Sequence, residues 1–300
     1  LTVANVETLT GEASRDAVTF TTAVSGTVNL AAGLDSLTLA DTGNTATVSN
    51  IETVTGGTNT DLVTLTGAVT GFTINLGAGN DSLTLSSAGN TVTVSNVETL
   101  VGGTSADAVT LATAMTSGSL DLLGGTDRLV LASVAANTLS VVNIESVTGG
   151  TGSDQVWLAN TLSNAVIDLG AGSDQLTLVT GGTATVLNVE TVTGGTGADR
   201  VVLGSAVTAG TVDLNGGSDT LVLGKFVNTL TVANVETLTG EASRDAVTFT
   251  TAVSGTVDLA AGLDSLTLAD TGNTATVSNI ETVTGGTNTD LVTLTGAVTG

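Results

Sequence analysis

Residues 56–85 read GGTNTDLVTLTGAVTGFTINLGAGNDSLTL, and this stretch decides the fold. Each of its two turns ends in Asp, and the chain after each Asp alternates apolar and polar residues. That period of two is typical of a β-strand with one buried face. Val63, Leu65, Leu83 and Leu85 are therefore predicted to face a core. β-Branched Val, Ile and Thr dominate the stretch, which favours strands over helices.

The same pattern returns along the whole chain, marked by the segment Asn-[Val/Ile]-Glu. This segment begins at Asn5, Asn50, Asn96, Asn143, Asn188, Asn234 and Asn279, so its spacing is 45 to 47 residues. The tandem repeats run approximately over 2–46, 47–92, 93–139, 140–184, 185–230, 231–275 and 276–300, the last being partial. Because such repeats bury their apolar faces by stacking on one another, we predict a single continuous solenoid over residues 1–300.

A longer period lies above this one. Residues 230–300 repeat residues 1–71 with one difference, Asn29 against Asp258, at an offset of 229 residues, or five repeats. Near-identity that extends to positions expected to be exposed indicates duplicated DNA. We therefore expect the chain to be part of a longer array.

Each repeat contains two turns that end in Asp. The turn-1 aspartates are Asp16, Asp61, Asp107, Asp154, Asp199, Asp245 and Asp290. The turn-2 aspartates are Asp35, Asp81, Asp127, Asp174, Asp219 and Asp264. If each Asp turn marks one coil, every repeat of about 46 residues forms two coils. The predicted fold is all-β, a parallel β-solenoid of the β-helix or β-roll kind, with negligible helix.

Two of the turns carry a complete nonapeptide motif. GGTGSDQVW (149–157) and GGTGADRVV (194–202) both fit G-G-x-G-x-D-x-U-x. These turns resemble the calcium-binding repeats of the RTX (repeats-in-toxin) family, found in large bacterial surface and adhesin-type proteins. The resemblance implies that glycines with positive φ form tight turns, and that turn carbonyls and the Asp carboxylate bind calcium. In this chain about 20 residues separate successive motifs, whereas RTX nonapeptides follow one another directly.

Calcium is therefore the predicted cofactor of the Asp turns. The candidate ligands are Asp61, Asp81, Asp107, Asp127, Asp154, Asp174, Asp199, Asp219, Asp264 and Asp290, with Gly150, Gly152, Gly195 and Gly197 in the two complete motifs. A separate argument comes from charge. If all 13 aspartates of both classes lay in one file, neighbours about 5 Å apart would repel by roughly 3 kcal/mol at an effective dielectric of 20. The alternative is an Asp ladder whose role is purely structural.

Other charged positions receive simpler interpretations. Arg15 and Arg244 are expected to neutralise Asp16 and Asp245, the turn-1 aspartates that follow them. The Asn-[Val/Ile]-Glu segments are read as an Asn corner ladder with a solvated Glu, or as a second cation site. A further set is interpreted as surface charge: Asp121, Asp168, Asp213 and Asp258.

Composition narrows the function. The net charge is −23 with only five Lys and Arg, which disfavours nucleic acid and anionic membranes as partners. No apolar stretch approaches a membrane span. The chain has no His, Cys or Tyr, and its few cations are scattered, so we expect no enzyme. The expected function is a structural, calcium-binding segment of an extracellular surface protein, filament, sheath or adhesin, one that self-associates end to end or laterally. An ice-binding module and, more remotely, a polysaccharide-modifying enzyme are the alternatives.

Overall fold

The predicted all-β fold is confirmed, and it is a parallel β-solenoid. The computed structural model describes residues 1–295, so the last five residues of the partial repeat 276–300 lie outside the described part. Residues 1–295 contain strands, turns and bends but no helix. In that same range, nothing forms a helix with the length and apolar character needed to cross a membrane.

The chain divides into two units, Leu1–Gly152 and Ser153–Gly300. The strands of the first unit are β1 (Thr2–Val3), β2 (Thr8–Thr10), β3 (Ala17–Phe20), β4 (Ser25–Asn29), β5 (Ser36–Thr38), β6 (Asn44–Ser49), β7 (Thr53–Thr55), β8 (Asp61–Leu65), β9 (Thr70–Asn75), β10 (Ser82–Thr84), β11 (Thr91–Ser95), β12 (Thr99–Val101), β13 (Ala108–Leu111), β14 (Gly118–Asp121), β15 (Arg128–Val130), β16 (Thr138–Val142) and β17 (Ser146–Gly150).

The second unit continues with the same kinds of strand. They are β18 (Gln155–Leu158), β19 (Leu162–Gly170), β20 (Gln175–Leu178), β21 (Gly182–Leu187), β22 (Thr191–Thr193), β23 (Asp199–Leu203), β24 (Thr208–Asp213), β25 (Thr220–Val222), β26 (Asn228–Ala233), β27 (Thr237–Thr239), β28 (Asp245–Phe249), β29 (Ser254–Asp258), β30 (Ser265–Thr267), β31 (Thr274–Ser278), β32 (Thr282–Thr284) and β33 (Leu291–Leu294).

Within each unit the strands form two parallel sheets, one of odd-numbered and one of even-numbered strands. In the first unit β1 pairs with β3 and β3 with β5, while β2 pairs with β4 and β4 with β6. The second unit repeats this order, for example β21 with β23 and β22 with β24. One coil is therefore two strands, and each strand hydrogen-bonds to the strand two places along the chain.

The number of coils per repeat differs from the prediction. The register pairs Ser36 with Thr53 and Thr53 with Thr73, so these coils are 17 and 20 residues long. Between Asn50 and Asn96 the chain forms five strands, β7 to β11. The predicted two coils per repeat are therefore wrong, because five strands make two and a half coils. The two further corners of the repeat, before β11 and β12, lack the Gly-x-Asp signature, so they were not counted when one coil was assigned to each Asp turn.

The core is a narrow column of aliphatic side chains between the two sheets of each unit. Val63, Leu65, Leu83 and Leu85 are at most 3% exposed, as the alternation predicts. Successive coils place such residues in register, for example Val63 beside Leu83. Each coil is too small to bury its own apolar side chains, so its neighbours in the stack complete the core.

The Asn of each Asn-[Val/Ile]-Glu segment turns the chain at a corner. All seven of these residues, including Asn50 and Asn96, have φ between 51° and 55°. This left-handed conformation is strained for most side chains, and Asn tolerates it better than other non-glycine residues. The repeat marker is thus a backbone requirement of the corner.

Candidate functional site

The aspartates of the Asp turns lie in hydrogen-bonded files along the corners of the solenoid. One file of the first unit contains Val24, Asn44, Asp61, Asp81 and Glu98, each at the start of a successive even-numbered strand. The N–H of each residue donates to the side-chain oxygen of the next: Val24 to Asn44 Oδ1 (3.0 Å), Asn44 to Asp61 Oδ1 (3.0 Å), Asp61 to Asp81 Oδ1 (2.7 Å) and Asp81 to Glu98 Oε2 (2.7 Å). We call such a file a corner ladder.

A second corner ladder lies beside the odd-numbered strands of the same unit. Its members are Val69, Asn90, Asp107, Asp127 and Glu145, with N–H to oxygen distances of 3.3, 2.9, 2.7 and 2.7 Å. Each ladder spans three repeats, and its two aspartates come from one repeat: Asp61 and Asp81 from 47–92, Asp107 and Asp127 from 93–139. Because a repeat holds an odd number of strands, equivalent residues of adjacent repeats fall on alternate sheets.

The second unit also places its aspartates in pairs followed by Glu. Asp154 N–H donates to Asp174 and Asp174 N–H donates to Glu190. Asp199 instead begins a strand of the other sheet and donates to Asp219. The expectation that all the aspartates stand in one file is therefore wrong. The remaining predicted ligands follow the ladder order, with Asp264 after Asp245 and Asp290 after Asn273.

Three of the turn-1 aspartates accept hydrogen bonds through both carboxylate oxygens: Asp61, Asp107 and Asp290. Asp61 is fully buried, and its Oδ1 accepts from Asn44 N and from Asn44 Nδ2 at 2.6 Å, while its Oδ2 accepts from Gly57 N at 3.1 Å. Asp107 has the same set of donors, from Asn90 and Gly103. The three N–H donors approach both side-chain oxygens, and an Asn side chain has only one oxygen that can accept a hydrogen bond. At Asp61 and Asp107 this geometry accounts for Asp rather than Asn.

The glycines of these turns are explained by close packing. A Cβ at Gly57 would lie 2.6 Å from Ala40 O, and a Cβ at Gly56 would lie 2.5 Å from Asp61 Oδ2. The glycines predicted to help bind calcium have the same property: a Cβ would lie within 2.5 Å of backbone atoms of the adjacent coil at Gly150, Gly152, Gly195 and Gly197. The positive φ implied for them is not found, since all four lie outside the left-handed region.

Turn-2 aspartates have one oxygen without a hydrogen-bond partner. In Asp81 and Asp127, both about 1% exposed, Oδ1 accepts the N–H of the preceding rung, whereas Oδ2 is buried and unpartnered within residues 1–295. The other turn-2 residues with such an Oδ2 are Asp35, Asp174, Asp219 and Asp264, and the turn-1 residue Asp245 has one as well. A buried acceptor without a donor is unfavourable, and a charged one more so.

The same burial changes the acidity of the turn-2 aspartates. Burial raises the pKa of Asp81 from 3.8 to about 6; the N–H of Asp61 lowers it, and the negative charges of Asp61 and Glu98 add to the increase. Asp127 and Asp174 have corresponding neighbours, and the pKa of each is also raised to about 6. Burial likewise raises the pKa of Asp219 and Asp264.

Other turn-1 positions differ from Asp61 and Asp107 in hydrogen bonding or in burial. At Asp245 the side chain and N–H of Asn228 bond to Oδ1, while Oδ2 is buried without a partner in the described residues. At Asp199 the preceding rung is Gly182, which has no side-chain amide to donate to the carboxylate; Oδ2 accepts from Gly195 N at 3.1 Å. Burial raises the pKa of Asp199. At Asp290, which is only partly buried, the side chain of Asn273 lowers the pKa.

The expected pairing of Arg15 with Asp16 and of Arg244 with Asp245 is not found. Over residues 1–295 the structure shows one salt bridge, between Lys225 Nζ and Glu241 Oε2 at 3.8 Å. Both arginines sit in turns before the corner, where their side chains extend outward, while Asp245 is fully buried. No arginine of the described residues therefore forms a salt bridge with a ladder carboxylate.

A second type of contact was not predicted. Asp121, interpreted as surface charge, accepts at Oδ1 from Leu123 N (3.0 Å) and from Asn143 Nδ2 (2.7 Å). Oδ1 of Asn75 likewise accepts from Gly77 N and from Asn96 Nδ2. The other acids interpreted as surface charge have this role too: Asp168, Asp213 and Asp258. The Asn at the left-handed corner thus ties its coil to the preceding coil of the same sheet.

Asn44 and Glu98 are ladder members that the sequence analysis missed. Asn44 lies 17 residues before Asp61, and Glu98 lies 17 residues after Asp81. A spacing of 17 residues indicates that two residues stand on adjacent coils only when the length of one coil is already known. Glu98 is therefore not simply solvated, because its carboxylate ends the ladder.

The acidic side chains of the ladders do not by themselves complete a calcium site. Calcium takes six to eight oxygen ligands, and within residues 1–295 no group of three or more His, Cys, Asp or Glu side chains could hold a metal ion. The oxygens of Asp61 face N–H donors, whose positive ends would repel a cation. Calcium binding at the Asp turns stays a prediction, and the hydrogen bonds favour the structural alternative.

Comparison with known proteins adds no relative. A scan against protein-family models, a search of curated proteins and a search of solved structures each found no match to the chain. The parallel solenoid agrees with a repeat protein, and the RTX resemblance rests on the turn motifs alone.

Proposed function

We propose that the chain is a structural repeat segment of a long extracellular surface protein, filament, sheath or adhesin. The observation that carries this proposal is the repetition itself. Within each unit every coil presents the same backbone pairing, the same aliphatic core and the same corner ladders, so an additional repeat adds length without a new kind of interface. Acidic surfaces also keep long repetitive chains soluble and apart.

Membership of an RTX-like group belongs to this proposal. The complete motifs at 149–157 and 194–202 support it, together with the parallel coils. Export through a secretion channel followed by folding outside the cell is the family expectation. The corner ladders support a solenoid that uses the same turn motif, with the aspartates accepting hydrogen bonds that hold the coils together.

Two measurements test the proposal. Antibodies against the chain should label intact cells of the organism that carries the gene, and labelling only after permeabilisation would overturn the extracellular assignment. A variant with two added repeats should be longer by five coils, about 24 Å at 4.8 Å per coil. Electron microscopy of the purified chains measures this increase, and an unchanged length would contradict the role as a length element.

Ice binding is a second candidate because one outward file of threonines is regular. Thr8, Thr27, Thr47, Thr64 and Thr84 stand in consecutive register on the even sheet of the first unit. The file ends at Val101, and the adjacent outward column contains Leu62. So narrow an array favours the structural role. Thermal hysteresis of a dilute solution distinguishes the two, and turnover of an acidic polysaccharide would instead indicate an enzyme.

A further inference from the structure

We propose that an uncharged patch on the even-numbered sheet of the second unit binds a neutral polysaccharide. The patch, called the Trp157 patch below, consists of Gln155, Trp157, Gln175 and Thr177. The site goes beyond the structural role proposed above, because a length element needs no ligand. Either proposal can therefore fail while the other holds.

The backbone brings these four side chains together on one face. Burial alternates along β18, so that Gln155 and Trp157 point outward. β18 pairs in parallel with β20, and the register places Gln155 beside Gln175. Trp157 lies beside Thr177 in the same way. Neighbouring strands are about 4.8 Å apart, and residues two apart on one strand are about 6.6 Å apart, so one small ligand can contact all four side chains.

The Trp157 patch contains residue types that the other repeats lack. Trp157 is the only Trp of the chain, and Gln155 and Gln175 are its only Gln residues. Three residues after the turn-1 aspartate the other repeats have Thr, or Val in the case of Val202. These repeats form the same kind of coil, so the solenoid does not require Trp or Gln at these positions. Their presence together points to a contact outside the fold.

The patch offers the groups that bind a sugar. Trp157 is 36% exposed, and its indole presents an apolar surface with one N–H donor. The C–H faces of a pyranose ring can stack on such a surface. Each Gln side-chain amide has two N–H donors and an acceptor for sugar hydroxyls. Within residues 1–295 neither of these side-chain amides forms a hydrogen bond with the protein, so both are available to a ligand.

Charge and size select the class of ligand. None of the four residues is charged, whereas the chain has a net charge of −23, which repels acidic polysaccharides. Strand spacing gives the patch an area of roughly 100 Å², far below the roughly 800 Å² per partner that a stable protein interface buries. A neutral sugar chain meets both conditions, because one or two of its rings cover the patch.

The first experiment uses Trp157 as the reporter. Because it is the only Trp, its fluorescence in the full 300-residue chain reports on the patch alone. The chain is titrated with cellohexaose and maltohexaose, two neutral hexose chains, and with oligogalacturonate as an acidic one. We expect a saturable change in emission with at least one neutral chain, together with protection of the indole from acrylamide quenching. No change with either neutral chain, or a change with oligogalacturonate only, would overturn the proposal.

The second experiment uses variants that restore residues of the other repeats. Trp157→Thr, Gln155→Ala and Gln175→Ser each introduce a residue that other repeats have at the equivalent position, so the fold should be preserved, and circular dichroism checks this. On an array of neutral and acidic glycans, we expect Trp157→Thr to weaken binding about tenfold or more. Each Gln variant should weaken it about two- to tenfold.

The matched control is Val202→Thr, which restores the Thr of the other repeats at an outward position of the odd-numbered sheet. This variant should bind like the parent chain. If Trp157→Thr also bound like the parent, the sugar would bind elsewhere and the proposal would be wrong.

Discussion

Replacing Asp61 by Asn tests whether the turn aspartate acts as a double acceptor. The substitution keeps the size of the side chain and converts one of its two oxygens into an NH₂ group. That group must face either the pair of donors on Asn44 or the N–H of Gly57, which lie 2.6 to 3.1 Å from the present oxygens. In both orientations two donors point at one another inside a fully buried corner.

The expected loss of stability follows from these bonds. In the orientation that loses least, the charge-assisted bond from Gly57 disappears, which is worth about 1.5–3 kcal/mol. The bonds from Asn44 remain but become neutral and weaker. An unpaired buried donor costs about 1–3 kcal/mol, which overlaps with the first figure because the same N–H is involved. We expect the free energy of unfolding to fall by about 3 kcal/mol.

Urea unfolding, followed by circular dichroism, measures this change, and hydrogen exchange of the peptide around Gly57 locates it. The matched control is Asp41→Asn, which changes the net charge equally at an exposed position and should alter stability by less than about 0.5 kcal/mol. If Asp61→Asn were as stable as the control, the carboxylate would not be the acceptor described here.

Two further substitutions test the corners. Gly57→Ala should lower the free energy of unfolding by about 1–3 kcal/mol, because its Cβ would lie 2.6 Å from Ala40 O. The control Gly67→Ala, whose Cβ would have nothing within 4 Å, should be neutral or slightly stabilising. Equal urea midpoints for the two variants would contradict the packing argument. Asn96 has φ 52° and its Nδ2 donates to Asn75 Oδ1 at 2.7 Å. Both variants lose this bond, but Ala is strained at positive φ, so Asn96→Ala should be less stable than Asn96→Gly by about 1 kcal/mol. Thermal unfolding of the two variants checks this order.

The strands and the core could be predicted from the sequence because alternation has a direct physical cause. Val63 and Leu83 follow an Asp turn and point inward, and both are fully buried. The coil count could not be predicted in this way. The corners at Asn90 and Glu98 contain no Gly-x-Asp signature, and only backbone pairing shows that Asn90 precedes Asp107 and Glu98 follows Asp81 in a ladder.

The candidate ligand aspartates lie at corners, at or just before the starts of strands, but the groups around their carboxylates were not foreseen from the sequence. A turn motif indicates where an Asp lies along the chain and leaves open which way its carboxylate points. In Asp61 and Asp107 it points into the corner towards the N–H of a glycine four residues earlier. The choice between packing and metal binding depends on that direction, which the coil geometry sets.

The half coil in each repeat also explains how so many acids can be stacked. With two coils per repeat, every Asp turn would lie on the same corner, and each acid would have acid neighbours on both sides along the whole file. Two and a half coils send alternate repeats to opposite corners. On the even corner of the first unit, the acids Asp61, Asp81 and Glu98 are preceded by Asn44 and followed by Met115, which are uncharged. Each run of like charge on this corner is therefore limited to three rungs, so the repulsion between stacked acids does not accumulate along the corner.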